Sequence, residues 1–446
     1  MKQSTLIALA IFSAILTFRC AQPESTSTAT HFHGMTLIAG DGSDAIANAA
    51  MTVDHGNIVA VGDADSVSAP PGARSVDLSG RTIMPLLHSV HVHLGYLIGE
   101  GMAAENYSRE SILRDLESHA HYGIGSVLSL GSDPGDTAFN LREDQKVGRA
   151  GGARLFTAGR GLTSVGGWPT NIAAIAAAPQ QVGTEDEARE AVRAMAEKKA
   201  DAIKIWVDDG GGRLPKISPE LFVAAIDEAS QHGLKVLAHV YYLDDAKALV
   251  EAGVSGLAHS IRDQEVDDEL IEMMLANDVF YAPTLVAHQS WSAYADQEGW
   301  IGEASMGETV DADLIDKLTS AEYVENANAN PGLPAQREQY QTALVNLEKL
   351  SDAGVIIALG TDSGTTSRFP GYFEHRELKL MVDAGMTPAQ AITAGTRDSA
   401  AVLGLAGTLS EGAPADFLVL TSNPLEDIRS TREIDAVYVA GERQAR

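Results

Sequence analysis

Two patterns of hydrophobic and polar residues divide the chain. Over residues 35–84, short apolar runs are broken by Gly, Asp and Asn, which is typical of β-hairpins. A similar pattern returns over residues 407–443. We therefore expect the two ends of the chain to build one small β-sandwich together, its first half over residues 33–84 and its second half over residues 405–446.

Between the two ends, strand and helix signals alternate at the pace of βα units. Thr184 with Glu187 predicts a capping box, and Ser218 before Pro219 predicts the start of the next helix. Eight strands are predicted, over residues 82–87, 125–130, 153–158, 201–207, 235–240, 254–259, 279–283 and 354–359. The predicted fold class is therefore α/β, a (β/α)8 TIM barrel over residues 85–404 with the small β-sandwich attached.

A long polar stretch over residues 300–341 separates the seventh and eighth predicted strands. Connections of this length in a compact domain are usually functional or disordered. We expect an inserted helical excursion or lid.

Composition indicates an ordinary globular protein, with 45% hydrophobic and 21% charged residues. The net charge of −29 at pH 7 argues against nucleic acid or an anionic membrane surface as a partner. Homo-oligomerisation stays open.

The first 20 residues are predicted to be a signal peptide. Lys2 precedes an uncharged apolar run over residues 6–16 that is too short to span a bilayer. The expected location is therefore outside the cytoplasm of a bacterium, in the periplasm or anchored to the outer membrane.

Cys20 is the only cysteine, which excludes an internal disulfide and a cysteine metal site. Its position resembles the lipid-attachment cysteine of bacterial lipoproteins, although Phe18 and Arg19 fit that motif badly. A lipid anchor, which would be the one membrane contact, and cleavage near Ala21 both stay open. Residues 21–32 are predicted to form a flexible tether.

Candidate chemistry lies at the carboxyl ends of the predicted strands, where barrel enzymes carry their active sites. His91 and His93 leave the first strand on the same face, with Val92 on the other. Imidazoles placed in this way suit a metal ion. Further residues that can bind a metal or adapt to one follow on other strands, namely Lys204, His239, His259 and Asp362.

Lys204 is predicted to point into the barrel. Alternation places it on one face with Ala202 and Trp206, while the intervening residues point to the helices. An unpaired ammonium in an apolar interior would carry a large desolvation cost. Reaction of the amine with carbon dioxide would give a carbamate, whose two oxygens can bridge two cations.

These residues, with several motifs, make the chain similar to the amidohydrolase superfamily, and more narrowly to its binuclear imidazolonepropionase-like and Xaa-Pro-dipeptidase-like hydrolases. The motifs stand at residues 77–85, 360–364, 386–392 and 407–416. The resemblance implies a first metal on His91, His93 and Asp362, a second on His239 and His259, and an N6-carboxylated Lys204 bridging both.

The resemblance further implies cleavage of an amide bond in a dipeptide or an N-acyl amino acid by a water activated between two divalent metal ions. It thus implies a small-molecule or dipeptide-like substrate as the partner. Asp362 would move the proton from that water to the leaving group. Zinc is expected, with iron, manganese or cobalt open at such ligands.

The chain departs from the family pattern after Pro85, where Leu86, Leu87, His88 and Ser89 stand. We expect Ser89 to share the inward face with His91 and to replace a supporting carboxylate. His88 has the opposite parity and is expected to be an outward histidine with its hydrogen bonds satisfied.

Four residues are candidates for substrate contacts: Tyr241, His288, Arg213 and Arg368. The two arginines could clamp a substrate carboxylate, and Tyr241 could hold an oxyanion or plug the barrel mouth. Trp168 and Trp206 could line a pocket or pack in the core. The other histidines are expected in loops or helices away from strand ends, as surface or packing residues: His31, His33, His55, His119, His121, His232 and His375.

Two other functions stay open. One is a mononuclear deaminase, or a hydrolase of cyclic amides, lactones or phosphotriesters, on the same barrel. Lys204 and Tyr242 argue against the deaminase, because deaminases of the superfamily lack that lysine and usually carry a glutamate where Tyr242 stands. The other is a binding protein without activity, and the complete set of ligands argues against it.

Overall fold

The computed structural model describes residues 27–445. The predicted signal peptide, Cys20 and the beginning of the predicted tether lie outside the described residues. The tether prediction is wrong at its end, because residues 30–32 already belong to the first strand and Phe32 is fully buried. Within the described range, no helix is long and apolar enough to cross a membrane.

The strands, in chain order, are β1 (Thr30–Leu37), β2 (Ile46–Asp54), β3 (Asn57–Asp63), β4 (Arg74–Asp77), β5 (Thr82–Pro85), β6 (Leu87–Val92), β7 (Leu97–Ile98), β8 (Gly101–Met102), β9 (Ile124–Ser129), β10 (Arg154–Thr157), β11 (Leu162–Ser164), β12 (Gln180–Val182), β13 (Ile203–Trp206), β14 (Val236–His239), β15 (Gly256–Ala258), β16 (Phe280–Ala282), β17 (Phe417–Leu420), β18 (Ile434–Val439) and β19 (Glu442–Arg443).

The α-helices are α1 (Arg109–His121), α2 (Thr137–Lys146), α3 (Glu185–Glu197), α4 (Pro219–Gln231), α5 (Leu243–Glu251), α6 (Asp268–Ala276), α7 (Leu285–Asp296), α8 (Ala312–Leu318), α9 (Ala321–Asn328), α10 (Leu333–Asp352), α11 (Tyr372–Asp383), α12 (Pro388–Thr393) and α13 (Ser399–Val402). The capping box predicted at Thr184 is confirmed, and Pro219 stands in the first turn of α4 as expected.

The strands from the two chain ends form one eight-stranded sheet in the order β19-β18-β17-β5-β1-β2-β3, with β4 beside β1. Its core is separate from that of the helices, and the rings of Phe417 and Tyr438 stack in it with centroids 4.5 Å apart. Phe32 of β1 packs edge-on against both rings. Alternating apolar residues of these strands thus share one face of the sheet. This sheet holds β5 in place, and β5 is followed after one residue by β6, the strand that leads to the candidate site.

The first predicted parallel strand is wrong in its bounds. Residues 82–87 do not form one strand, because β5 pairs with β17 in the eight-stranded sheet and a new strand begins at Leu87. The chain changes sheets at Pro85 and Leu86, where the antiparallel partner is left behind and pairing with β9 begins.

The parallel strands form a three-stranded sheet, β10-β9-β6, and a six-stranded sheet, β12-β11-β13-β14-β15-β16. The predicted eighth strand over residues 354–359 is not continuous. Ile357 makes a single bridge to Tyr281, and Ser363 makes one to Val92. This segment contacts each neighbour too briefly for a regular ladder to form.

β6 carries an irregularity that inverts the predicted faces. Ser89 pairs with Val127 but Val92 pairs with Ser129, so one extra residue is inserted between them. Val90 packs in a small cluster of strand residues, and alternation places His88 on its side, with Ser89 on the other. The predictions that His88 points outward and that Ser89 shares the face of His91 are therefore wrong. His88 is buried, and its Nδ1 has no hydrogen-bond partner among the described residues.

The insertion over residues 300–341 is helical, as predicted. It contains α8, α9 and the beginning of α10. Lys317 of α8 donates to Glu100 at 2.6 Å, and Tyr323 of α9 hydrogen-bonds Ser367 at 3.1 Å. These contacts hold the insertion over the carboxyl ends of the parallel strands.

Candidate metal centre

Three potential metal ligands meet where β6 ends. The ligand atoms of His91, His93 and Asp362 lie within 4.8 Å of one another. Asp362 Oδ1 lies 2.8 Å from His93 Nε2 and 3.5 Å from His91 Nε2. The backbone N–H of Asp362 donates to the carbonyl of His91, which fixes the two chain segments together.

His239 and His259 stand beside this group. His239 ends β14, and His259 follows β15 with a φ of +71°. The imidazole of His259 lies between those of His239 and His91, and its ring centroid is 4.3 Å from the first and 4.6 Å from the second. Asp362 also has a positive φ, +59°, and backbone strain of this kind in residues other than glycine clusters at functional sites.

Lys204 is fully buried in β13, and its Nζ has no hydrogen-bond partner among residues 27–445. The predicted alternation of this strand is seen, since Ala202 packs with the strand cluster while Ile203 and Ile205 pack with the helices. Burial lowers the pKa of the Lys204 amine to about 7. A neutral amine in this position is the form that can react with carbon dioxide.

Two glycines make room for the lysine. A Cβ at Gly131, where φ is +92°, would lie 2.6 Å from Lys204 Cγ. A Cβ at Gly161 would lie 2.9 Å from Lys204 Cβ and 2.5 Å from the Trp206 ring. The space around the amine is therefore built by the lack of side chains on two neighbouring segments.

We expect Gly161→Ala to lower the free energy of unfolding by about 1–3 kcal/mol, because the added methyl overpacks the site against Lys204 and Trp206. Chemical denaturation measures the change. Gly151→Ala is the matched control, since its Cβ would meet no atom within 4 Å. Equal stability of the two variants would contradict the packing described here.

Each of three histidines has one ring nitrogen held by a neighbour. His93 Nδ1 hydrogen-bonds Ser132 at 2.6 Å, His259 Nδ1 hydrogen-bonds Thr284 at 2.8 Å, and His239 Nε2 hydrogen-bonds Asp208 at 2.8 Å. Partners of this kind fix the tautomer and the orientation of metal-binding histidines. The second nitrogen of His93 faces Asp362 Oδ1 at 2.8 Å. Both nitrogens of His91 are buried without a hydrogen-bond partner in the described chain.

A bound metal ion would supply the partner that these buried nitrogen atoms lack in the described chain. Imidazole nitrogens, a carboxylate and a lysine that can become a carbamate match the nitrogen and oxygen ligands of zinc, iron, manganese or cobalt. The donor set of His91, His93, His239, His259, Asp362 and Lys204 therefore fits divalent cations.

A cavity of about 930 Å³ opens above these residues. Apolar side chains line part of the cavity, namely Met102, Trp168, Pro169, Ile172, Ile175 and Trp206. Polar and charged side chains line the rest, including Arg262, His288, Arg368, Lys317, Tyr323 and Asn326. The cavity is large enough for a small molecule with one apolar part.

Two of the four candidates for substrate contacts line the cavity, namely His288 and Arg368. Arg368 Nη1 lies 3.3 Å from Asp362 Oδ2, so this arginine already contacts a carboxylate. Tyr241 does not line the cavity. The guanidinium carbon of Arg262 lies over its ring, 4.6 Å from the ring centroid. Arg213 is exposed, and its Nε donates to the nearby carbonyl of Gly210.

Two residues of the site were missed in the sequence. Asp208 stands four residues after Lys204, so strand alternation extended past β13 could have found it. Arg262 follows His259 by three residues in a loop, and no periodic signal marks it. Of the histidines expected in loops or helices, His31 and His33 lie on β1, and His119 is buried on α1 beside Glu374.

Glu374 holds the segment that carries Asp362. This buried carboxylate accepts hydrogen bonds from Thr361 Oγ1 at 2.6 Å and Ser363 Oγ at 2.8 Å. Burial by itself would raise the pKa of Glu374, but His119 and the two hydroxyl donors lower the pKa to about 2 from 4.5. Its charged form therefore stabilises the folded protein.

We expect Glu374→Gln to cost about 1–3 kcal/mol at neutral pH, the usual contribution of hydrogen bonds to a buried charge. A lowered folded-state pKa gives stability that is present above pH 4.5 and is lost as the pH falls towards 2. The difference between wild type and variant, measured by denaturation at several pH values, should shrink across that window. Glu117→Gln on the exposed side of α1 is the control, and a difference independent of pH would refute this role.

Comparison with known proteins places these features in a family. The model of the amidohydrolase family matches residues 82–443. Ochratoxinase of Aspergillus niger is 32% identical over 263 residues, which cover 56% of this chain and 47% of that protein. The chain thus matches about half the length of this relative.

Solved structures are similar over almost the whole chain. A Xaa-Pro dipeptidase with methionine bound in its active site has a TM-score of 0.75 at 24% identity, covering 93% of this chain and 99% of the other. A putative prolidase from Bifidobacterium longum has a TM-score of 0.74 at 27% identity, covering 94% and 95%. From the match over residues 82–443, we conclude that the chain belongs to the amidohydrolase family.

Proposed function

We propose that this protein is a metal-dependent hydrolase that cleaves the carbon–nitrogen bond of an amide, in a dipeptide or an N-acyl amino acid. The observation that carries the proposal is the amine of Lys204, which is buried without a hydrogen-bond partner among the described residues and lies near enough to His91 and Asp362 for their charges to interact. Family membership and the similarity to a dipeptidase and a putative prolidase support it.

The proposed scaffold is a closed (β/α)8 barrel. Hydrogen bonds between neighbouring segments support closure. Asp201 N–H donates to the carbonyl of Thr157, which connects the two parallel sheets on one side. On the other side, Ala358 donates to Tyr281 and Val90 donates to Leu359, which connects β16 to β6 through the segment at residues 354–359.

We propose that His91, His93 and Asp362 would hold one divalent cation and that His239 and His259 would hold the other. Lys204, once it has added carbon dioxide and lost a proton, would hold both through its carbamate. When bound, the cations would supply a nucleophilic water and polarise the substrate carbonyl. Zinc is the proposed metal, because imidazole nitrogen and carboxylate oxygen are its usual ligands in catalytic sites.

The residues of the chain then have separate tasks. Asp362 would accept the proton of the attacking water and deliver it to the leaving nitrogen. Asp208, Ser132 and Thr284 keep the imidazoles in place through their hydrogen bonds. The insertion over residues 300–341 lines the cavity and would limit the access of bulk water to the reacting groups.

A substrate panel tests the proposal. Purified protein loaded with zinc in the presence of bicarbonate is assayed with dipeptides, N-acyl amino acids, lactones and phosphotriesters. We expect turnover of one or more of the amides, at rates above those for the esters. Turnover of lactones or phosphotriesters with none for amides would refute the proposed substrate class, and less than one bound metal per chain would refute the proposed chemistry.

A further inference from the structure

Arg262 is a cation at the wall of the cavity, and it has no ion-pair partner among residues 27–445. It follows β15 and is only partly exposed. Its Nη1 donates to the carbonyl of Ser260 at 2.8 Å and to that of Val240 at 3.3 Å. Among the described residues, Nε and Nη2 have no acceptor, and no carboxylate oxygen lies within 4 Å of the guanidinium. The group is thus fixed on one side and open on the other.

The other lysine and arginine of the cavity wall have carboxylate partners. Lys317 is paired with Glu100 at 2.6 Å, and Arg368 is paired with Asp362 at 3.3 Å. Arg368 Nε also donates to Thr365, so its guanidinium is already in use. Arg262 therefore differs from both in carrying a charge that nothing described in the chain neutralises at close range.

An uncompensated charge at a buried wall is costly, and burial lowers the pKa of Arg262 accordingly. A buried charge in a cavity that has no counter-ion marks a candidate site for a ligand of opposite charge.

We propose that Arg262 binds the free carboxylate of the substrate and thereby selects amides whose amino-acid portion carries an unmodified carboxyl group. This inference rests on the proposed function and adds the residue that sets its specificity. The substrate's apolar part would lie along the wall that contains Met102, Trp168 and Ile172.

The geometry favours a carboxylate over other anions for a physical reason. Nε and Nη2 form the planar edge of a guanidinium, and that edge matches the two oxygens of a carboxylate. The two backbone carbonyls and the Tyr241 ring hold the plane in one orientation, which makes the edge a preformed receptor. Arg213, predicted as a carboxylate clamp, is exposed outside the cavity, and Arg262 takes the role instead.

A matched pair of compounds tests the inference: N-benzoyl-L-leucine and N-benzoyl-L-leucinamide, which differ in the carboxylate alone. We expect wild type to cleave the benzoyl amide bond of the acid with a kcat/KM about 100-fold above that of the leucinamide, since two charge-assisted hydrogen bonds are at stake. Arg262→Gln should remove most of this ratio by slowing the acid and leaving the leucinamide within about threefold.

Two further variants separate recognition from folding. Arg262→Lys keeps the charge without the planar edge, and we expect an intermediate ratio. Arg189→Gln removes an arginine that donates to the carbonyl of Ala224 away from the cavity, and it should keep the wild-type ratio. The inference is overturned if Arg262→Gln keeps the wild-type ratio of the two kcat/KM values. It is also overturned if the folded variant loses kcat/KM equally for the acid and the leucinamide.

Binding measurements test the role of Arg262 even without turnover. If wild type cleaves no amide at all, the proposed function fails, and calorimetric titration with the same two compounds then decides on Arg262. Tighter binding of the acid than of the leucinamide in wild type, with equal binding in Arg262→Gln, supports the inference. Equal binding of the two compounds to wild type overturns it.

Discussion

Lys204→Ala is expected to lower kcat/KM by roughly 10³-fold or more, because it removes the anion proposed to bridge two cations that together supply several kcal/mol of transition-state stabilisation. The side chain is fully buried, and its amine, which has no hydrogen-bond partner in the described chain, lies 5.8 Å from the centre of the Trp206 ring. Truncation therefore removes no hydrogen bond seen in the structure, and the loss should appear in activity and in metal content more than in folding.

Steady-state kinetics and metal analysis of the purified variant measure this effect. Short carboxylic acids such as acetate or propionate should restore part of the activity, because they can occupy the space left by the carbamate. Lys235→Ala is the control, since the Lys235 amine donates to the carbonyls of Ala401 and Val402 away from the cavity. Unchanged turnover in Lys204→Ala would rule out the bridging role.

Asp362→Asn is expected to lower kcat by about 10²- to 10⁴-fold, the range typical of a lost general acid or base. The substitution keeps the shape of the side chain but removes its negative charge. Burial alone would raise the pKa of Asp362, yet Arg368 and His93 hold it well below its usual range. The structure therefore keeps this carboxylate ionised, as a group that accepts a proton must be.

Separate measurements of kcat and of metal content distinguish proton transfer by Asp362 from metal binding by Asp362. If it moves protons, the variant with its full complement of metal should still be slow, and KM should change little. Asp245→Asn, which alters a carboxylate paired with Lys216 outside the cavity, should keep normal kinetics. A fall of less than tenfold in a variant loaded with metal would remove Asp362 from proton transfer.

Where strands are regular, strand alternation was sufficient to predict the face on which a side chain lies. In β13 it gave the correct face for Lys204, because a fixed period of two leaves no freedom in a buried strand. In β6 the same rule failed for His88 and Ser89, because an inserted residue shifts the period and leaves no clear mark in the sequence.

Loop residues were harder to place than strand residues. Tyr241 was expected near the substrate, but the position of the Arg262 guanidinium on its ring is a tertiary contact that no local pattern reports. The break between β5 and β6 was missed for a similar reason. The partner of β5 is β17, from the far end of the chain, and a local pattern cannot show it.

The pairing of β5 with β17 has a consequence for biosynthesis. It joins Pro85 to Phe417, so the strand leading towards His91 lacks this neighbour until β17 has been translated. Contacts so distant along the chain slow folding and leave nascent edges exposed in the meantime. Assembly of the candidate site is thereby coupled to the synthesis of β17, and ribosomal products that stop before β17 would present an open β5 edge to chaperones and proteases.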